Sequence, residues 1–564
     1  MNKQPRDGPL PTGAADEFCF ECQLFPLQLL QILLPPTNLV LPMENFPAAL
    51  NSAEQAGLDG SASASNLNHS FKLDYFPSHS ILNVAMPKVR EVGSLVKLSA
   101  DCIRKSIEKN KYAGYPREVK PNVDANALIH ELPVVLLEEI IRSFTSFRKI
   151  IDSNVLIQLI TVRLQHLSFT GYYDGYLKLF PNLGNLLILD LENTDVRDKC
   201  LKSIGIHCSK LRSLNLNHCR NVTDTGIQWL CNVDYPGMGN GKSGLCETIK
   251  KLCILQTAVT QQGIQVALTH LQSLNILENF NTLEALVELS LSTIDSKPPG
   301  LYNNKFSIST LFTSPDKPYI SNGLHLALSL CHSVTVVLIH LTKGLKDSDL
   351  LCLMSLKVLH KLKIFKSNIW VPNDTEITFD GGVAPLLKVF GRSLETLALE
   401  CFDLIRISTI MDFCPNLYAL YMSDVTGSLE NERHLFQSEK KPPVFKELKQ
   451  LICILDVPVD ILLFLFSSPS LERIAISCCD VLTDEILLET VKCHQHRLNN
   501  LKKFELDQCD SVTKRGIDAL LRSGCNPLEV IDIYRCKNIV DKNYADWNSL
   551  IVRKNWNCKI TRKW

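Results

Sequence analysis

The chain has 564 residues, 45% of them apolar and 21% charged, which suits one large globular unit or several smaller ones. Lys plus Arg equals Asp plus Glu at 59 each, so the net charge is zero. That balance argues against nucleic acid or an anionic membrane as a general partner. The 21 cysteines are an odd number. Their spacing gives no disulfide framework, so a reducing compartment, cytoplasm or nucleus, is expected.

In chain order, residues 1–85 are rich in Pro, Ala, Ser, Asn and Gly and have no sustained period, so disorder is expected there. The apolar run Leu24–Leu34 is broken by Pro26 and stopped by Pro35 and Pro36. It is far below the ~20 residues of a membrane span. Asp16 and Glu17 precede it in place of a basic region, which argues against a secretory signal. Cys19 and Cys22 form a single CxxC with no second pair nearby, so no zinc site is expected.

Residues 86–150 carry two helix-like segments. In Ser94-Leu-Val-Lys-Leu-Ser-Ala-Asp-Cys-Ile103, Ser94 suits an N-cap, and Leu95, Leu98, Cys102 and Ile103 make a helical stripe. In Leu132-Pro-Val-Val-Leu-Leu-Glu-Glu-Ile-Ile-Arg-Ser-Phe144, Pro133 suits the first helical turn. Leu136, Leu137, Ile140, Ile141 and Phe144 form its apolar face. A cap over the end of the following repeats is one reading of these helices. An adaptor-docking module is the other.

From residue 151 to the end a unit recurs. Leu211–Ile227 (LRSLNLNHCRNVTDTGI) shows LxxLxL, then Cys219, Val222, Thr223-Asp224 and Gly226-Ile227. The same order recurs from Leu471, Leu501 and Leu528, and from Ile249 with Thr257 in the Cys slot. The apolar triplet alone recurs from Leu164, Leu186, Leu286, Val334, Leu359, Leu394, Leu417 and Leu448. About thirteen units result, each a strand and a helix that need a neighbour to bury their apolar side. This resembles the leucine-rich repeat of the cysteine-containing type, which implies an α/β solenoid. Cys219, Cys479, Cys509 and Cys536 share one slot and are expected to be small buried apolar groups.

Two stretches interrupt the period. Residues 232–246 contain Gly241-Lys242-Ser243, but Pro236 stands where a phosphate-binding loop requires its first Gly, so a plain loop is expected. Residues 296–323, with Pro298, Pro299, Pro315 and Pro318, are expected to be a long surface excursion. At the end, Trp547, Trp556 and Trp564 lie among Lys554, Lys559, Arg562 and Lys563, as expected of a terminal cap. No catalytic motif, cofactor loop or metal-ligand set is evident, and His494 and His496 are too few for a site. No enzyme activity and no cofactor are therefore expected.

Ser94–Ile103 resembles the elongin-binding box, with Ser94, Leu95 and Ile103 matching and Ser99 where that family usually has Cys. The Pro133-led helix resembles the cullin box that follows it. Box, Pro-led helix and leucine-rich repeats in this order are similar to the Zyg/Zer family of substrate receptors. The same Leu132–Phe144 segment also resembles the start of an F-box, which binds the Skp adaptor, although no Trp occurs between Met86 and Ile227. Either resemblance implies the receptor subunit of a cullin-RING ubiquitin ligase, working in the cytoplasm or nucleus. Leu95, Ser99, Ile103, Leu132, Pro133, Leu136, Leu137 and Ile140 would then meet the adaptor, elongin B/C or Skp, in the manner of a helix in a groove. The alternative is a protein-binding scaffold with no cullin.

The target site is expected on the concave strand face, from residues alternating with the apolar triplet. These include Asp190, Glu192, Asn215, Glu288, Glu400, Tyr421, Glu505, Asp507 and Tyr534. The mix is mildly acidic, which favours a basic target segment.

Overall fold

The computed structural model describes residues 132–145, 159–169, 175–231, 244–296, 306–366, 376–423 except 401 and 403, 445–492 except 456, 498–522 and 527–563. Leu95, Ser99, Ile103, Cys19, Cys22, His494, His496 and Trp564 lie outside them. From residue 84 onward the chain is one unit.

Its strands run in chain order, all parallel, with helices between them. β1 His166–Ser168, β2 Ile188–Asp190, β3 Ser213–Asn215, β4 Lys251–Cys253 and β5 Ile276–Glu278 form one sheet. The second sheet runs from β6 Thr310–Phe312, β7 Val336–Leu341, β8 Lys361–Lys366 and β9 Thr396–Glu400 to β10 Ala419–Ser423 and β11 Gln450–Ile454. It continues through β12 Arg473–Ser477, β13 Lys503–Asp507, β14 Val530–Tyr534 and β15 Lys559–Lys563.

The register follows the sequence repeat. Leu167, Leu189, Leu214, Leu252 and Leu277 are direct partners across the first sheet. Leu397, Leu420, Leu451, Ile474, Phe504 and Ile531 continue the column in the second. Each is the fourth residue of its LxxLxL unit. Any slip would turn these side chains out of the core, so equal spacing in sequence enforces equal height in space.

Several strands are followed within three residues by one of positive φ, among them Asn193 (56°), His218 (62°), Leu455 (60°), Cys478 (52°), Gln508 (51°) and Arg535 (46°). None is glycine. Five of these amides donate to a carbonyl at or just past the end of the next strand, as His218 does to Leu255 at 2.8 Å and Cys478 to Asp507 at 2.8 Å. That bond offsets a conformation that costs an L-residue roughly 1 kcal/mol. The following cysteine is buried, as expected, but is not merely apolar. The Cys219 thiol donates to the Leu191 carbonyl of the preceding repeat at 3.0 Å, and Cys509 to Ile476 at 3.5 Å.

The Thr-Asp…Gly signature ties helices together. Thr223 caps its own helix, with Thr225 N donating to its Oγ1. Its own amide and hydroxyl donate in turn to Asp198 of the preceding repeat, at 2.8 and 2.7 Å. Thr260 repeats this on Asp224, Thr378 on Asp347 and Thr513 on Asp484. The glycine three residues after each Thr makes room: a Cβ on Gly226 would stand 2.4 Å from Asp198 Oδ1. Gly226→Ala is therefore expected to cost about 1–3 kcal/mol. In an Asp198→Ala background the same change should cost less than half as much, a coupling that a chemical-denaturation double-mutant cycle reads directly.

Three departures from the sequence expectation stand out. Leu286, Leu289 and Leu291 are not a strand but part of the helix Thr282–Ser296. Their spacing suits a helix face as well as LxxLxL: Leu286 is buried and Leu291 exposed. The true strand there is β5, and the segment 296–323 contains β6. In both units the sixth slot is polar, Asn279 and Thr313, which breaks the sequence pattern. Each is satisfied in place: Asn279 Nδ2 donates to Ile254 O at 2.9 Å, and Thr313 Oγ1 accepts from His340 N at 2.7 Å. The last strand, β15, was also hidden, because its sixth slot is Arg562.

The helix Val134–Thr145 closes the N-terminal end. Leu137, Ile140 and Ile141 are fully buried in the solenoid core, in one cluster with Leu164, Leu167 and Phe169. Glu138 Oε1 accepts the Gln165 and His166 amides at 3.0 and 2.8 Å, satisfying the free edge of β1. Burial works against the Glu138 charge, but bonds from the His166 ring and these amides outweigh it and hold the carboxyl below its ordinary value.

Candidate functional site

The concave strand face is the broad surface that the repeats build, and its chemistry changes along its length. At the N-terminal end Asp190, Glu192 and Asn215 come together. Asp190 accepts from the Glu192 amide at 3.1 Å, and Asn215 Nδ2 donates to Glu192 Oε2 at 3.1 Å. Burial raises the Asp190 carboxyl above its usual range. Next along, Lys251 Nζ meets Glu278 Oε1 at 3.2 Å.

The C-terminal end gathers Glu505, Asp507 and Tyr534, but its acids are matched within the chain. Glu505 takes Arg473 at 2.6 Å and Lys503 at 2.7 Å. Lys503 also reaches Asp532 at 3.3 Å. Arg535 binds Asp507 through Nε at 3.1 Å and Nη2 at 2.9 Å. The mild acidity read from sequence is thus neutralised here by cations whose place in the repeat is legible only once the strands are stacked. Glu288, expected on this face, lies instead on the helix Thr282–Ser296 and accepts from Gln261 and Gln265.

Between the two polar ends the face is aromatic and apolar. Phe280 and His340 stack edge to face with centroids 5.1 Å apart, His340 and Phe365 lie at 6.3 Å, and Phe365 and Tyr421 at 5.7 Å. Phe312, Leu338, Ala398 and Ile452 fill the same strip. Tyr421 is only 3% exposed and Glu400 is also buried, so neither stands free in solvent as alternation alone would suggest. Neighbouring strands are ~4.8 Å apart, so side chains of one column cover each other. Two ionisable groups sit in this strip. Burial pushes the His340 imidazole down to about 4, and its Nδ1–H donates to Thr313 O at 2.8 Å. Burial, assisted by the Lys361 charge and opposed by Glu278, brings the Lys363 ammonium down to about 7.

Of the nine expected target residues, Glu288 is therefore on a helix and the other eight form two polar groups and a buried central pair, not one site. Sequence reading missed Phe280, Phe312, His340, Lys363 and Phe365. The signal existed for Lys363 and Phe365, which alternate with Leu362 and Ile364 in a recognised unit. It did not exist for Phe280 and Phe312, whose units were unrecognised.

Of the expected adaptor residues, Leu137 and Ile140 are core. Leu132 and Leu136 are half-buried, and Pro133 is exposed. Arg163 Nη2 holds the Leu132 carbonyl at 2.8 Å. Among the described residues no group of His, Cys, Asp and Glu is placed to hold a metal ion, and no helix is long and apolar enough to cross a membrane.

Stacked parallel strands, inter-strand helices and the buried cysteine slot define a leucine-rich-repeat solenoid of the cysteine-containing type. No protein-family model and no curated protein matches the chain. Among solved structures it is similar to a chain of the crystal structure of the Rad7 and Elc1 complex in yeast. The identity is 15% over 80% of this chain and 96% of that one, with a TM-score of 0.42. It is also similar to the leucine-rich-repeat protein LIC12759 of Leptospira interrogans, at 15% identity over 78% of this chain and 100% of that one, TM-score 0.28. An internalin of Listeria monocytogenes matches at 14% identity over 65% and 89%, TM-score 0.28.

Proposed function

We propose that this chain is the target-recognition subunit of a cullin-RING ubiquitin ligase, with catalysis residing in other subunits. The observation that carries the reading is the order of its parts. An elongin-type box at Ser94–Ile103 precedes a Pro133-led helix, and that helix is anchored in the end of a protein-binding solenoid through Leu137, Ile140 and Ile141. In this reading the box takes the adaptor and the concave face takes the target.

Elongin B/C is favoured over Skp for a physical reason. Docking Skp through the Leu132–Phe144 face requires apolar side chains that are already buried in the solenoid. The elongin reading leaves that face in place and assigns Leu95, Ser99 and Ile103 to the adaptor; Pro133 and Val135 are exposed. A second reading, a leucine-rich scaffold with no cullin, is favoured by the same burial, because a helix so embedded is a sufficient cap.

Affinity capture of the full chain from cell lysate tests this. Elongins B and C with a cullin are expected on the wild type and lost on Leu95→Ala, with the thermal midpoint unchanged. Skp in their place would assign an F-box. Neither adaptor on a folded wild type would leave the scaffold.

A further inference from the structure

We propose that the seam between the two sheets is a binding site for a cationic side chain of the target, with Glu284 as its counter-charge and the Phe280–His340–Phe365 row as its apolar wall. This deepens the reading of the concave face as the target surface. It rests on that reading and not on the adaptor.

At the seam the backbone ladder is interrupted after Ser309 N, which donates to Asn275 O at 2.7 Å. β5 and β6 do not pair as the other neighbours do; Thr310 Oγ1 bridges them, accepting from Leu277 N at 3.2 Å and donating to Leu277 O at 3.0 Å. The polar sixth slots Asn279 and Thr313 flank this break. Around it, four groups close a ring. Phe280 stacks on His340 at 5.1 Å, and His340 donates to Thr313 O at 2.8 Å. Ser314, the next residue, donates its amide to Glu284 Oε1 at 3.3 Å, and Glu284 begins the helix one turn beyond Phe280.

Glu284 is 5% exposed, and its second oxygen, Oε2, is buried with no hydrogen-bond partner among the described residues. A buried acceptor left unmade costs about 1–3 kcal/mol, more if charged. Asn217, Asn279, Thr310 and Thr313 each bond a neighbouring repeat, and the other buried oxygens without a partner among the described residues, on Thr161, Ser423 and Ser468, are hydroxyls and not carboxylates. Burial raises the Glu284 carboxyl above its usual range, with its own amide, the Ser314 amide and the Lys317 charge opposing. An entering ammonium would supply the missing donor and favour the ionised form. The aromatic row then receives the methylenes of that side chain and the apolar residues next to it, and rings beside a cation add to the attraction.

The probe is acetyl-Gly-Phe-Lys-Phe-Gly-amide against the same peptide with norleucine, an uncharged chain, in place of Lys. Isothermal titration with the full chain is expected to give at least tenfold tighter binding for the Lys peptide, which corresponds to about 1.4 kcal/mol. Glu284→Gln, which can still accept from Ser314, should erase that ratio and leave the norleucine peptide unchanged. Glu288→Gln, on the exposed side of the same helix, should preserve it. Equal affinities on the wild type, no binding of either peptide, or a ratio that survives Glu284→Gln would each overturn the proposal. Elongin capture by the Glu284→Gln chain is expected to match wild type, so a failure here is distinguishable from a failure of the adaptor reading.

Discussion

Leu137→Ala is expected to destabilise the N-terminal end of the solenoid by about 2–5 kcal/mol. The side chain is fully buried between the Val134–Thr145 helix and Leu164, Leu167 and Phe169. Removing it leaves a cavity under a helix that is also held by Glu138 on the β1 amides. A repeat array is stabilised by nearest neighbours, so the loss should stay local. Hydrogen exchange is the appropriate measurement: amides of β1 to β3 should lose protection while β9 to β14 keep theirs. Val135→Ser, two residues away at a side chain 68% exposed, should change stability by less than about 0.5 kcal/mol. Equal effects of the two substitutions would mean that the helix is not the cap described here.

At the other end, Trp547→Ala should cost about 3–5 kcal/mol. Trp547 is 1% exposed on the helix Asp541–Lys554, stacks edge to face on Tyr544 with centroids 5.6 Å apart, and donates Nε1–H to Asp518 at 2.8 Å. The substitution removes the large ring and strands the Asp518 acceptor together. Trp547→Phe separates the two effects. It keeps most of the packing and should lose only about 1 kcal/mol for the hydrogen bond. Fraying read by hydrogen exchange at β14 and β15 is the expected signature, because β15 closes the sheet and has no described strand beyond it. Protection at β15 unchanged in Trp547→Ala would contradict the cap.

Leu137, Ile140 and Ile141 of the Val134–Thr145 helix belong to the same buried core as β1. The concave face, in turn, is not one uniform surface. Its C-terminal acids are matched by Arg473, Lys503 and Arg535, so a basic target segment would have to displace those cations to use them. Glu284, with one oxygen unpartnered among the described residues, needs no such exchange.

The sequence by itself determined the architecture, because a period is a one-dimensional property. Leucines at fixed spacing bury only if neighbouring units align, so LxxLxL implied strand, register and stacking together. The units from Leu186, Leu211 and Leu394 fell where the period put them. The Thr-Asp…Gly tail announced a helix start, though not that the Asp accepts from the Thr of the following repeat. Only the tertiary structure decided three matters. It decided that Leu286–Leu291 is a helix, since that spacing suits a helical face as well as a strand. It placed β5 and β6, whose sixth slots are polar and are stabilised by bonds to residues in other repeats. And it decided which polar side chains are free. Whether Glu505 or Glu284 carries unmatched charge depends on what the adjacent strand places within about 3 Å, and adjacent strands are some 30 residues away in sequence.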